Sequence, residues 1–210
     1  MTIGRKTKIA ITIAGVPLVL AGMWGVERSI RLPGDEILPG AGTMGTKAIS
    51  IHVTPDETWR WLVQMGVGRA GMYSYDWIDR IVGSGDAVDG HSATRIHPEL
   101  QDRNVGDQMV FHPPTGLAYT VAMVSAPRVI VYRGQSVSPV SWTFYLLPSD
   151  DGTRLITRWR GSKANGAAET VANAVFGTMD FVMEQRMLTR IKELAESHAA
   201  AAMSRSSSTY

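Results

Sequence analysis

Residues Glu169–His198 set the constraint that the rest of the chain must satisfy. Val171, Val175, Met179, Met183, Met187, Ile191, Leu194 and His198 recur every three to four positions, which puts them on one stripe of an α-helix. Asp180, Glu184, Lys192, Glu193 and Glu196 are expected to face elsewhere. No proline interrupts the run, and Gly177 is its one weak point, a place for a kink. About 30 helical residues extend roughly 45 Å, and a stripe that long needs an equally long apolar partner. The segment before it reads as strands. The pattern therefore predicts an α+β fold, a curved antiparallel sheet wrapped around a long C-terminal helix. Methionine is flexible and polarisable, so the stripe suits ordinary core packing as well as the wall of a ligand cavity.

With 210 residues the chain holds one domain with a sizeable core plus appendages. A formal net charge of +2, evenly spread, argues against nucleic acid as the main partner. The absence of cysteine excludes disulfides, thiolate metal sites and cysteine nucleophiles.

Arg5, Lys6 and Lys8 precede an uncharged run over residues 9–26, at the short limit for crossing a bilayer core. Gly15, Pro17, Gly22 and Gly25 are compatible with a membrane helix, and Trp24 suits the far interface. The reading is a single-pass anchor, with a signal peptide or an interfacial helix as alternatives. A small basic bias favours a cytoplasmic amino terminus and an extracytoplasmic domain. The expected organisation is a tip and anchor over residues 1–30, a Pro/Gly linker over 31–45, a domain over 46–198 and a disordered tail over 199–210.

Lys47–Val53 reads as a strand with Ile49, Ile51 and Val53 on one face. Thr54-Pro55-Asp56-Glu57 opens a helix as a capping box with proline at its first position. That helix stops near Gly66 and carries Trp59 and Trp61, of which at most one is expected to be central to the core. After the turn Gly66–Gly71, a second helix is expected over Met72–Val82, with Tyr73, Trp77 and Ile81 on one face. Gly83–Thr94 is a polar loop. From Val105 onward the pattern alternates with period two. Strands are expected over Asp107–His112, Leu117–Val124, Arg128–Arg133, Ser141–Leu147 and Arg154–Arg160, joined by short turns as in an antiparallel meander. In the last of these, Leu155, Thr157 and Trp159 face inward, and Arg154, Arg158 and Arg160 form a solvated outer face.

The order strand, two helices, strands, long helix resembles the SRPBCC superfamily, which includes START, polyketide cyclase and birch-pollen-allergen-like proteins. The similarity covers roughly Thr46–Ser197. It is carried by Val53-Thr54-Pro55-Asp56-Glu57-Thr58-Trp59, by Gly68-Arg69-Ala70-Gly71-Met72-Tyr73-Ser74-Tyr75-Asp76-Trp77 and by Ile96-His97-Pro98-Glu99-Leu100-Gln101. Val105-Gly106-Asp107 and Met183-Glu184-Gln185-Arg186-Met187-Leu188 add to it. The resemblance implies a helix-grip fold with a deep cavity between the sheet and the last helix, holding an apolar or amphipathic small molecule. Such a pocket is lined by aromatic and apolar side chains with a few polar groups. The candidate lining residues are Trp61, Tyr73, Trp77, His97, Met109, Tyr119, Trp142, Trp159, Met179, Met183 and Met187.

No catalytic motif emerges. The five histidines lack metal-ligand spacing, no Gly-x-Ser-x-Gly is present, and no cofactor is implied. His97 is expected to bond backbone, Asp76 to face solvent, and Arg95 to pair with Glu99 over the cavity mouth. A carrier or binding domain at a membrane is the leading reading. A cyclase or dehydratase using Tyr73, Asp76, His97 and Glu99 is one alternative. A partner-docking domain without ligand is another.

Overall fold

The computed structural model describes residues 30–112, 117–135, 139–163 and 166–207. The anchor expected over residues 9–26 lies outside them. Among the described residues no helix is long and apolar enough to cross a bilayer.

Strand β1 (Thr43–Ile51) leads into helix α1 (Pro55–Gln64), and a short helix α2 (Asp76–Ile81) follows. Five more strands come next, β2 (Gln108–His112), β3 (Leu117–Ser125), β4 (Val129–Gln135), β5 (Pro139–Ser149) and β6 (Gly152–Gly161), and then helix α3 (Ala167–Ser207). The strands form one antiparallel sheet in the order β1-β6-β5-β4-β3-β2, so the first strand pairs with the last. One face of this curved sheet closes on α1 and the second half of α3. Trp61, Leu62 and Met65 from the α1 end, Ile130, Tyr132, Phe144, Leu146 and Leu155 from the sheet, and Met187, Leu188, Ile191, Leu194 and Ala195 from α3 form a single core.

Local chemistry starts α1 as expected. The Thr54 hydroxyl accepts the Glu57 N–H at 3.3 Å and proline sits in the first turn. The Glu57 carboxylate, however, does not return to Thr54. It accepts from Arg60 and the Trp61 indole, each at 3.2 Å, and stands 2.8 Å from His198 Nδ1, tying α1 to α3. Both tryptophans of α1 are buried, because the core, α3 and the loop after α2 together cover more than one side of the helix.

Four expectations change. Helix α3 runs 41 residues, through the alanine- and serine-rich stretch read as a disordered tail; alanine is the strongest helix former, and the helix is already nucleated upstream. Strand β1 starts at Thr43, where Thr43–Gly45 pair with Trp159–Gly161. Only Asp76–Ile81 of the second helix forms.

The fourth concerns the outer sheet face. Residues 31–42 are not a free tether but a strap laid across it, with Leu32 fully buried and a single 3-10 turn at Asp35–Ile37. Asp35 meets Arg158 at 2.7 Å and Arg160 at 3.1 Å. Arg158 also donates to Thr46 Oγ1 at 3.0 Å and to the Ile30 carbonyl at 2.9 Å. Arg158 is therefore 1% exposed, not part of a solvated face. Gly34 permits this close approach: its φ is +88°, and a Cβ there would lie 2.6 Å from a Val131 methyl.

Removing one partner of a covered ion pair leaves the other charge buried and uncompensated, which costs about 3 kcal/mol. Asp35→Ala is therefore expected to lower unfolding stability by about that amount, read from the urea midpoint at unchanged m-value. A loss no larger than that of an exposed alanine substitution would show that the strap carries no such clamp.

Candidate functional site

The inward stripe of α3 changes character along its length. Leu194, Ile191 and Met187 are buried in the core. One turn toward the helix start, the same face carries Glu184, and four residues earlier it carries Asp180. Glu184 accepts the Trp142 indole N–H at 3.0 Å through one oxygen and contacts the Lys47 ammonium through the other. Lys47 also lies 4.5 Å from the centre of the Phe181 ring, within cation–π range. Trp142 is packed among Phe144, Tyr119 and Tyr132, with ring centres 4.5, 6.4 and 6.4 Å away. Tyr119, Trp142, Trp159, Phe181 and Met183 are each half-buried. The result is a recess whose walls are aromatic and whose helix side is acidic.

Electrostatics mark the same place. Burial pushes the Asp180 carboxyl up, the Glu184 charge pushes further, and Lys47 opposes. Asp180 is itself exposed, so it stands at the solvent edge of this cluster. Burial raises the Tyr119 phenol to about 12, with Asp180 adding to the effect. Among the described residues, no hydrogen bond or ion pair reaches the Asp180 carboxylate.

Sequence reading missed Lys47, Asp180, Phe181 and Glu184, though two signals were present. Lys47 has the strand parity of Ile49 and Ile51, whose face is inward. Asp180 and Glu184 continue the spacing of Met187 and Ile191. Both carboxylates are expected to face away from the stripe, as acidic residues usually do; Asp180 is indeed exposed, whereas Lys47 and Trp142 satisfy Glu184 on the inner face.

The residues nominated from sequence fall into five groups. Tyr119, Trp142, Trp159 and Met183 are half-buried, the first two at the recess. Trp61, Met109 and Met187 are core. Trp77 is 62% exposed and Ile81 75%: on so short a helix Asp79 takes the inward face, bonded to Ser74 at 2.6 Å, and the opposite face points to water. The side chain of Met179 lies outside the described residues. Tyr73 and His97 are fully buried but belong to a separate network.

That network holds the loop between α2 and β2. Gln64 donates to the Tyr73 hydroxyl at 2.6 Å and the Arg95 carbonyl at 3.1 Å, and accepts the His97 N–H at 3.0 Å. Tyr73 holds a left-handed φ of 58°, a conformation that costs energy in a bulky residue and is offset here by these bonds. Each ring nitrogen of His97 faces a carboxylate at 3.0 Å, Glu99 at Nδ1 and Asp89 at Nε2. Carboxylates only accept, so both bonds form only when the ring carries both hydrogens. Arg95 pairs with Asp89 at 3.1 Å rather than with Glu99. Asp76 accepts from Ser92 Oγ at 2.6 Å. The four groups that would serve acid–base chemistry are thus committed to holding the loop, His97 bonded directly to Glu99 and joined to Tyr73 through Gln64.

A curved antiparallel sheet with α1 and α2 between its first two strands, closed on a long terminal helix, is the arrangement the resemblance implied. The fold is the helix grip. No family model matches the chain, and no curated protein matches it. Among solved structures it is similar to a Bacillus halodurans protein (13% identity, TM-score 0.48, 75% of this chain and 99% of that one). An AHSA1-like protein from Aeromonas hydrophila is also similar (13%, 0.39, 75% and 94%), as is a Polyketide_cyc-like protein from Corynebacterium glutamicum (13%, 0.39, 77% and 96%). Identities this low carry no information on ligand or reaction.

The loop clamp makes stability depend on pH. The Arg95 and His97 bonds hold the Asp89 carboxyl below its usual range, and a backbone bond together with His97 does so for Glu99. Depressed folded-state values stabilise above the unfolded carboxylate range, near pH 4, and this contribution disappears as pH falls through the folded values. His97→Ala is expected to lower Tm by a few degrees at pH 6. The gap to wild type should narrow as pH drops toward 3; a constant gap would mean that the carboxylate bonds contribute nothing.

Proposed function

We propose that this helix-grip domain binds one apolar or amphipathic small molecule in the recess between the sheet and α3, with the ligand's polar end at Asp180, Glu184 and Lys47. One observation carries the reading. On the inward stripe of α3 the apolar run gives way to an acidic pair, opposite aromatic rings that the protein leaves half covered. Burying that remaining apolar surface against a ligand is worth roughly 25 cal/mol per Å², before the costs of association. The commitment of Tyr73, Asp76, His97 and Glu99 to bonds that hold the loop favours binding over cyclase- or dehydratase-type chemistry. An anchor over residues 9–26, as the sequence suggests, would keep the recess beside lipid and supply it with amphiphiles.

The test is organic extraction of the purified full-length protein with mass spectrometry of whatever is released, followed by titration with dodecanol read by tryptophan fluorescence. Saturation at one molecule per chain is expected, and Trp142→Ala should weaken it at least tenfold. No released molecule and no saturable binding would reject the reading.

A further inference from the structure

The charges and hydroxyls at the recess specify the head group it accepts. Glu184 is committed: Lys47 and the Trp142 indole occupy its two oxygens. Asp180, on the same helix face, is a second carboxylate against the same single ammonium. A further polar group lies on the same inner face of the sheet. Thr157 pairs in register with Lys47 on one side and with Phe144 on the other, and directly paired residues share a sheet face. Its side chain is 0% exposed, and its hydroxyl has no hydrogen-bond partner among the described residues. A buried orphan hydroxyl is a standing cost unless something bonds it.

We infer that the recess selects an amphiphile whose head is an amine or a hydroxyl, held between Asp180 and Thr157, and turns away carboxylate-headed amphiphiles such as fatty acids. This rests on the binding reading above. The recess already holds one more negative than positive charge, so an anionic head would meet Asp180 unscreened by a free cation. An amine or hydroxyl donates to Asp180, and either one satisfies the Thr157 oxygen.

Three probes with the same chain separate these effects: dodecylamine, dodecanol and dodecanoate, each titrated into the full-length protein with tryptophan fluorescence as readout. The expected order is amine tightest, alcohol next, and dodecanoate at least tenfold weaker than the amine. Asp180→Asn should erase the amine's advantage over the alcohol, and Asp180→Lys should invert the order in favour of dodecanoate. Thr157→Val removes only the hydroxyl. It should leave Tm unchanged or raise it, while weakening the alcohol at least threefold. Dodecanoate binding as tightly as the amine, or an order unmoved by both Asp180 variants, would overturn the inference while leaving the binding reading standing. If none of the three probes binds, both fall.

Discussion

The ladder between β1 and β6 is the contact on which the rest depends. It joins residues about a hundred positions apart, so the chain must close a long loop before the pairing returns any energy. Once formed, the ladder places Lys47 beside Thr157 and beneath α3. It also swings the segment before β1 onto the outer face of the sheet, and α1 onto the inner one. Lys192 secures the same edge by donating to the Ser50 carbonyl at 2.9 Å, and Glu196 accepts the His52 N–H at 2.8 Å. Strand, strap and helix are thus held at one seam.

The sheet is covered on both faces by different means. The inner face is sealed by apolar packing against α1 and α3. On part of the outer face the strap is held by the Asp35 ion pairs with Arg158 and Arg160 and by the buried Leu32. A buried ion pair adds little net stability over an apolar replacement, but it admits only one seating of the strap. That geometric restriction suits a segment made largely of glycine, proline and polar residues.

Rigidity and openness are divided along α3. Its second half is locked into the core by Met187, Ile191 and Leu194, and by the link from His198 to Glu57. At Glu184 and Asp180 the contact with the sheet becomes polar and partly open. The loop network around Gln64, Tyr73 and His97 is bonded within itself and, among the described residues, shares no hydrogen bond with Glu184 or Lys47. Polar chemistry in the molecule therefore serves two distinct ends, scaffolding in the loop and recognition at the recess.

The periodicity of α3, the capping of α1 by Thr54 and the alternation of the strands are local properties, so the order of elements and the helix-grip class were legible in the residues themselves. Strand parity also contained the inward placement of Lys47, and helical spacing that of Glu184, although acidic and basic side chains are ordinarily assigned to solvent. The sequence by itself determined which elements form and which faces are apolar. Only the tertiary structure decided that Arg158 is buried, that Trp77 is not, and that Lys47 and Trp142 meet at Glu184. These are outcomes of long-range pairing and coverage: Arg158 is buried because the strap returns to it, and Lys47 is satisfied because α3, far away in the chain, brings Glu184. No local pattern encodes a partner at that distance.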